Sequence, residues 1–235
     1  MLISIIIPCY NEFNTIEIII DKILLQKKLK KEIILVNDGS TDGTRELIIN
    51  KLHKKVNKII HHKYNRGKGA AIKSAAKIVR GDIVLIQDAD LEYDPKDYSK
   101  LINPILNKDF LVVYGSRVLG KNRYSSKGFT SLLRIFFNHF LTLISNILNN
   151  QSLTDAHTCY KAFHISVFSK IRLLENDFSF CPEITTKVSN LGYSISERKI
   201  SYYGRSYKDG KKIGIYDGLK AIYVLFKYKF FNKHD

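Results

Sequence analysis

The chain has 235 residues, 45% of them hydrophobic, and a formal net charge of +16. That length fits one large domain or a compact α/β domain with an appended lobe, and that apolar content builds a real core, which excludes a disordered tail. The charge calls for an anionic partner, whether nucleic acid, a phosphorylated small molecule or an anionic membrane surface, and does not choose among them.

The first eight residues carry no basic leader or small-residue cleavage site and read as a buried strand over residues 2–7 rather than a signal peptide. Three further apolar runs, residues 32–36, 58–62 and 82–87, have the same character. Between them, residues 14–25, 41–52 and 69–79 show helical spacing; Ile16, Ile19, Ile20, Ile23 and Leu24 are the apolar positions of the first. This alternation predicts a mostly parallel sheet flanked by helices. Beyond it the spacing predicts a strand over residues 111–116, helices over 130–148 and 182–190, a strand over 193–203 and a closing helix over 215–231. No linker or repeat divides the chain, so a single domain is expected, with a first half (1–120) and a later, acceptor-side half (121–235). Three widely spaced cysteines form no zinc or redox motif and suit a reduced, cytoplasmic setting. No run of about eighteen apolar residues predicts a spanning helix.

In open α/β sheets ligands bind beyond the carboxyl ends of the strands. Three polar clusters fall there: Pro8-Cys9-Tyr10-Asn11-Glu12, Asn37-Asp38-Gly39-Ser40-Thr41-Asp42-Gly43 and Asp88-Ala89-Asp90-Leu91-Glu92. Carboxylates gathered at a strand end need a cation, and Mg²⁺ or Mn²⁺ bridging a diphosphate would supply one through oxygen ligands. Strand alternation, if it persists, would turn Asp88, Asp90 and Glu92 to one side. A solvated loop with capping acids is the plain alternative. Asn65-Arg66-Gly67-Lys68-Gly69 opens a helix where backbone amides and Lys68 favour an anion, or it is simply a tight turn.

Taken together, these pieces resemble family 2 glycosyltransferases of the GT-A fold, in particular the dolichol- or polyprenyl-phosphate sugar synthases. Gly115-Ser116-Arg117 and the stretch from Thr154-Asp155 to Lys161 extend the likeness over nearly the whole chain. The resemblance implies a Rossmann-like hexosyltransferase acting on a UDP- or GDP-sugar. In it Pro8, Tyr10, Glu12 and Asp38 would line the base pocket, and Asp88 and Ala89 would lie near ribose and base. Asp90, helped by Glu92, would bind the metal. Arg117 would face phosphate or acceptor, and Arg205 would close over the diphosphate. Asp155 would be the acceptor-side carboxylate: a general base toward a hydroxyl, or an orienting group toward a phosphate. A helix N-cap is its alternative role, and His157 reads as structural.

The implied acceptor is a membrane lipid, foremost polyprenyl phosphate, with inversion at the anomeric carbon. Diacylglycerol is the alternative acceptor, and a sugar nucleotidyltransferase a more distant reading. A nucleic-acid module finds no motif to support it. Residues 215–231 mix aromatics with Lys220, Lys227 and Lys229, which suits peripheral binding to the cytoplasmic face of an anionic membrane as well as ordinary core packing.

Overall fold

The computed structural model describes residues 1–120, 129–204 and 215–231. β1 (Ile3–Cys9) and β2 (Lys31–Asn37) are nearly unbroken runs of aliphatic residues, buried almost throughout. Strands apolar on both faces belong at the centre of a sheet covered on two sides. β3 (Lys58–His61) and β4 (Ile83–Ile86) join them in parallel. The crossovers run through α1 (Ile16–Leu24), α2 (Thr44–Asn50) and α3 (Lys68–Ala76). In α1 the four isoleucines face the core as expected, whereas Leu24, expected on the same face, ends the helix exposed.

The strand order is β3-β2-β1-β4-β6-β5-β7, the last three being β6 (Lys161–His164), β5 (Val112–Ser116) and β7 (Ser196–Lys199). The chain builds from β1 outward to β3, then returns through α3 to lay β4 on the other side of β1. The order therefore reverses between β1 and β4, and a crevice opens there beyond their carboxyl ends.

β6 runs antiparallel to β4 and β5, while β7 is parallel to β5. The sheet is mostly parallel as expected, with one reversed strand that the sequence did not signal: four residues opening on a lysine make no recognisable run. Because β6 and β7 come from beyond residue 120 and share the sheet of the first half, the chain is one domain.

The remaining helices are α4 (Tyr98–Leu106), α5 (Phe129–Asn149), α6 (Ile165–Phe168), α7 (Phe180–Asn190) and α8 (Ile215–Phe226). α4 was not expected, because Pro104 stands inside it and breaks the usual signature. The strand expected over 193–203 shrinks to β7 and a single bridge between Tyr93 and Tyr202. The closing helix stops at Phe226 and continues as a π-helical turn, Lys227–Phe231. Among the described residues no helix is long and apolar enough to cross a membrane.

Candidate active site

Register alone aligns the rim. Cys9 pairs with Asn37 and Ile6 with Ile86, so the segments after β1, β2 and β4 emerge side by side. Asn11, in the left-handed region at φ 54°, ties the first two together. Its amide donates to Ser40 Oγ at 3.0 Å, and its Oδ1 accepts from Thr41 N at 2.8 Å. Glu12 N donates to Thr44 Oγ1 at 3.0 Å, and Thr15 Oγ1 donates to the Glu12 carboxylate at 2.5 Å. Pro8 is buried, whereas Tyr10 stands 45% exposed at the mouth, free to meet a flat ligand.

Asp38 is buried and holds the loop before α3. Its carboxylate accepts from Arg66 N at 3.0 Å and Gly67 N at 2.7 Å, and lies 2.5 Å from His62 Nδ1. The other ring nitrogen of His62 is 2.8 Å from Ser74 Oγ on α3. Gly67 takes φ 96°, and a Cβ there would fall 2.5 Å from Asn176 O, so only glycine lets the loop 174–178 approach.

Lys68 begins α3 and pairs with the Asp88 carboxylate. Its Nζ also reaches Cys159 Sγ at 3.2 Å and lies over the rings of Phe178 and Phe180. Burial alone would lower the pKa of this ammonium; the Asp88 charge overrides it and holds Lys68 well above the ordinary lysine value. Ala89 is buried between the acids.

Strand geometry ends at Ile86, so alternation does not aim the acids as expected. Local bonds place them instead. Buried Asp90 accepts from Glu92 N at 3.0 Å, and buried Glu92 accepts from Tyr202 OH at 3.0 Å, while Tyr203 N reaches Glu92 O at 2.9 Å. Among the described residues no cluster of three or more His, Cys, Asp or Glu side chains forms a ready-made metal cage. Arg205 lies outside the described residues.

Arg117 follows β5 and meets Asp155 across 38 residues of chain. Its N, Nε and Nη2 donate to the Asp155 carboxylate at 3.1, 2.6 and 2.7 Å. Burial would raise the pKa of Asp155, but the Arg117 charge and hydrogen bonds prevail and hold it below the usual carboxylate range. The guanidinium also lies 5.2 Å from the centre of the Tyr202 ring. Asp155 caps no helix; it sits in the loop between α5 and β6.

Three residues not singled out from sequence shape this side. Lys161 is fully buried and donates to Ala156 O and Thr158 O at 2.9 and 2.7 Å, closing the loop on itself. Gln87 Oε1 gathers the hydroxyls of Tyr98 and Tyr160, each at 2.7 Å, beneath Asp88. Glu197 holds the backbone of Thr154 and Asp155. Polarity beside apolar residues is the one signal at Gln87 and Lys161, and Glu197, in Ser-Glu-Arg-Lys, carries none. The ring of His157 is driven to a pKa of about 4 by burial and by nearby Lys161, so it is neutral at pH 7.

This fold and rim define the GT-A class of glycosyltransferase. Residues 4–172 match glycosyl transferase family 2, and the chain belongs to that family. It is 28% identical to a dolichyl-phosphate beta-glucosyltransferase of Trichomonas vaginalis over 98% of this chain and 74% of that one. It is likewise 28% identical to a UDP-N-acetylglucosamine–dolichyl-phosphate N-acetylglucosaminyltransferase of Methanococcus voltae, over 97% and 96%. Glucosyl-3-phosphoglycerate synthase of Mycobacterium tuberculosis, solved with Mn²⁺, UDP and phosphoglyceric acid, superposes with a TM-score of 0.70 at 17% identity, over 97% of this chain and 78% of that one. The same synthase has been solved with Mg²⁺ and UDP. Membership of this family sets aside the nucleotidyltransferase and nucleic-acid readings.

Proposed function

We propose that this glycosyltransferase moves a sugar from a nucleoside diphosphate sugar onto the phosphate of a polyprenyl-type lipid, inverting the anomeric carbon. The observation that carries the reading is the Arg117–Asp155 pair. A carboxylate gripped by a guanidinium and held below its usual pKa is a poor base toward a lipid hydroxyl. A phosphate acceptor brings its own negative charge and needs no base. Arg117, oriented by Asp155, keeps N–H groups on Nη1 and Nη2 for such a phosphate. Two relatives named for dolichyl phosphate support the same acceptor.

Donor binding falls to the first half, residues 1–120, and acceptor binding to residues 121–235. Pro8, Tyr10, Glu12 and Asp38 line the base side of the crevice, with Asp88 and Ala89 next to the ribose. Lys68, at a helix N-terminus, serves the diphosphate. UDP is the first nucleotide to test, since it is named in the Methanococcus relative and in the synthase structures. Asp90 and Glu92 offer only oxygen, which fits Mg²⁺ or Mn²⁺, and these two carboxylates would hold the ion. Such an ion would neutralise charge developing on the leaving diphosphate. In the transfer, an acceptor phosphate oxygen bonds to the anomeric carbon while its bond to the diphosphate oxygen breaks, and the nucleoside diphosphate leaves with the electron pair. Attack from the side of Arg117 and departure toward Lys68 give inversion.

The α5 and α8 helices pack together and leave apolar stripes exposed: Phe136, Phe137, Phe140, Leu143 and Ile147 on one, Tyr216, Leu219, Tyr223 and Phe226 on the other. Soluble monomers seldom expose so continuous an apolar face. α5 contains no acidic residue, and residues 215–231 hold three lysines against one aspartate. That combination suits an anionic membrane, where a lipid acceptor resides.

The test is a matrix of UDP- and GDP-sugars against polyprenyl phosphate and diacylglycerol, with Mg²⁺ or Mn²⁺. Transfer confined to the lipid phosphate supports the reading; transfer confined to diacylglycerol overturns it.

A further inference from the structure

β7 lies at the edge of the sheet, and the reading above gives its inward side chain, Glu197, no task. Yet this carboxylate accepts three hydrogen bonds from two consecutive residues. Thr154 N and Thr154 Oγ1 reach its Oε2 at 2.7 and 2.8 Å, and Asp155 N reaches its Oε1 at 2.9 Å. Thr154 Oγ1 also lies 2.7 Å from Ser116 Oγ, which accepts from the amides of Val118 and Leu119 at 3.2 and 3.0 Å. Glu197 thus fixes the backbone from which the Asp155 side chain projects. The same bonds tie that backbone to the end of β5, where Arg117 begins.

Two amides and a hydroxyl converging on one spot call for a group that only accepts and has two oxygens, which among side chains means a carboxylate. A glutamine in its place would offer one oxygen and turn an amide donor toward a backbone N–H. The requirement is costly, because it puts a second carboxylate close to Asp155. Burial, and the Asp155 charge, both work against ionised Glu197. An edge strand that merely filled space would not carry such a group.

We propose that Glu197 is a positioning residue of the transfer reaction: it locks the Thr154–Asp155 turn so that Asp155 presents the Arg117 guanidinium to the acceptor phosphate. This rests on the reading of Arg117 as the acceptor's partner. Glu197 touches neither substrate, so its loss acts on the acceptor step and leaves the donor crevice intact. β7 lies at the far end of the sheet from β1 and β2, which carry Tyr10 and Asp38 at their ends.

The experiment compares wild-type protein with Glu197→Gln and Glu197→Asp, each confirmed as folded by circular dichroism and thermal melting. UDP affinity is measured by calorimetry, and kcat and KM separately for donor and for polyprenyl phosphate. The ¹⁵N–¹H signal of Arg117 Nε, assigned with an Arg117→Lys variant, reports the guanidinium directly. In Glu197→Gln the expected result is unchanged UDP affinity and a kcat/KM for the acceptor lower by about tenfold to a hundredfold, as for a lost hydrogen bond to a charged group. The Nε signal should shift or broaden. Glu197→Asp keeps the charge and should retain more acceptor efficiency than the glutamine variant. A folded Glu197→Gln protein with an unmoved Nε signal overturns the proposal, as does a loss shared equally by donor and acceptor constants. Should wild-type protein fail to use any lipid phosphate, the functional reading fails, while the Nε signal still decides whether Glu197 positions Arg117.

Discussion

Asp155 is engaged by Arg117 through both of its carboxylate oxygens, across 38 residues of chain, with the two side chains only 5% and 17% exposed. In the proposed reading this pair makes Asp155 a holder of the guanidinium rather than a base. Removing one partner leaves the other buried and uncompensated, which costs about 3–5 kcal/mol. Asp155→Asn should therefore lose stability in that range in urea unfolding at neutral pH, more than a surface Asp→Asn change such as Asp21→Asn.

The same pair sets a pH dependence. The folded pKa of Asp155 is depressed, so its contribution to stability is fully present above the unfolded carboxylate value of about 3.9. It is lost as pH falls through the lower, folded value. Unfolding free energy measured from pH 7 downward should fall in that acid range for wild-type protein. The Asp155→Asn curve should be flatter there.

Asp90→Ala should abolish turnover, with circular dichroism and thermal melting separating loss of the site from loss of the fold; Asp90 accepts from Glu92 N in its own loop. Titration of Mn²⁺ against residual activity is the check. A variant that keeps metal-dependent turnover would refute the assignment of Asp90 as ligand.

Gly67→Ala tests the donor loop. The added Cβ would strike Asn176 O from a left-handed backbone, and an alanine there is strained by about 1–3 kcal/mol before the clash is counted. The expected outcome is a weaker UDP complex by calorimetry together with lower stability. Acceptor KM should change little, since the loop stands on the donor side.

Phe137→Ser with Phe140→Ser removes exposed apolar surface from α5 without opening the core. Flotation with vesicles containing anionic lipid should show several-fold weaker binding than wild type, and wild-type binding should weaken as salt rises. Equal recovery of wild-type protein with neutral and anionic vesicles would count against the membrane surface.

The rim was legible in the sequence because its signals are local. A buried aliphatic run followed by Pro8-Cys9-Tyr10, or by Asn37-Asp38-Gly39, announces a strand end wherever the rest of the chain goes. The task of Asp38 was not legible, since it depends on Arg66 and Gly67 returning to it from beyond β3. Arg117 and Asp155 were each visible as candidates, but their bond is a product of β6 threading between β4 and β5, and that reversed strand left no pattern. Glu197 stands in Ser-Glu-Arg-Lys, which reads as a solvated edge. Its function appears only when the Thr154 turn is laid against it.

The most direct measurement is ³¹P NMR of the lipid product after incubation with UDP-sugar, polyprenyl phosphate and Mg²⁺ or Mn²⁺. The account predicts that the phosphomonoester resonance of the acceptor is replaced by a phosphodiester joined to the anomeric carbon, with one UDP released for each bond formed. Unchanged phosphomonoester alongside sugar transferred to a lipid hydroxyl would contradict it.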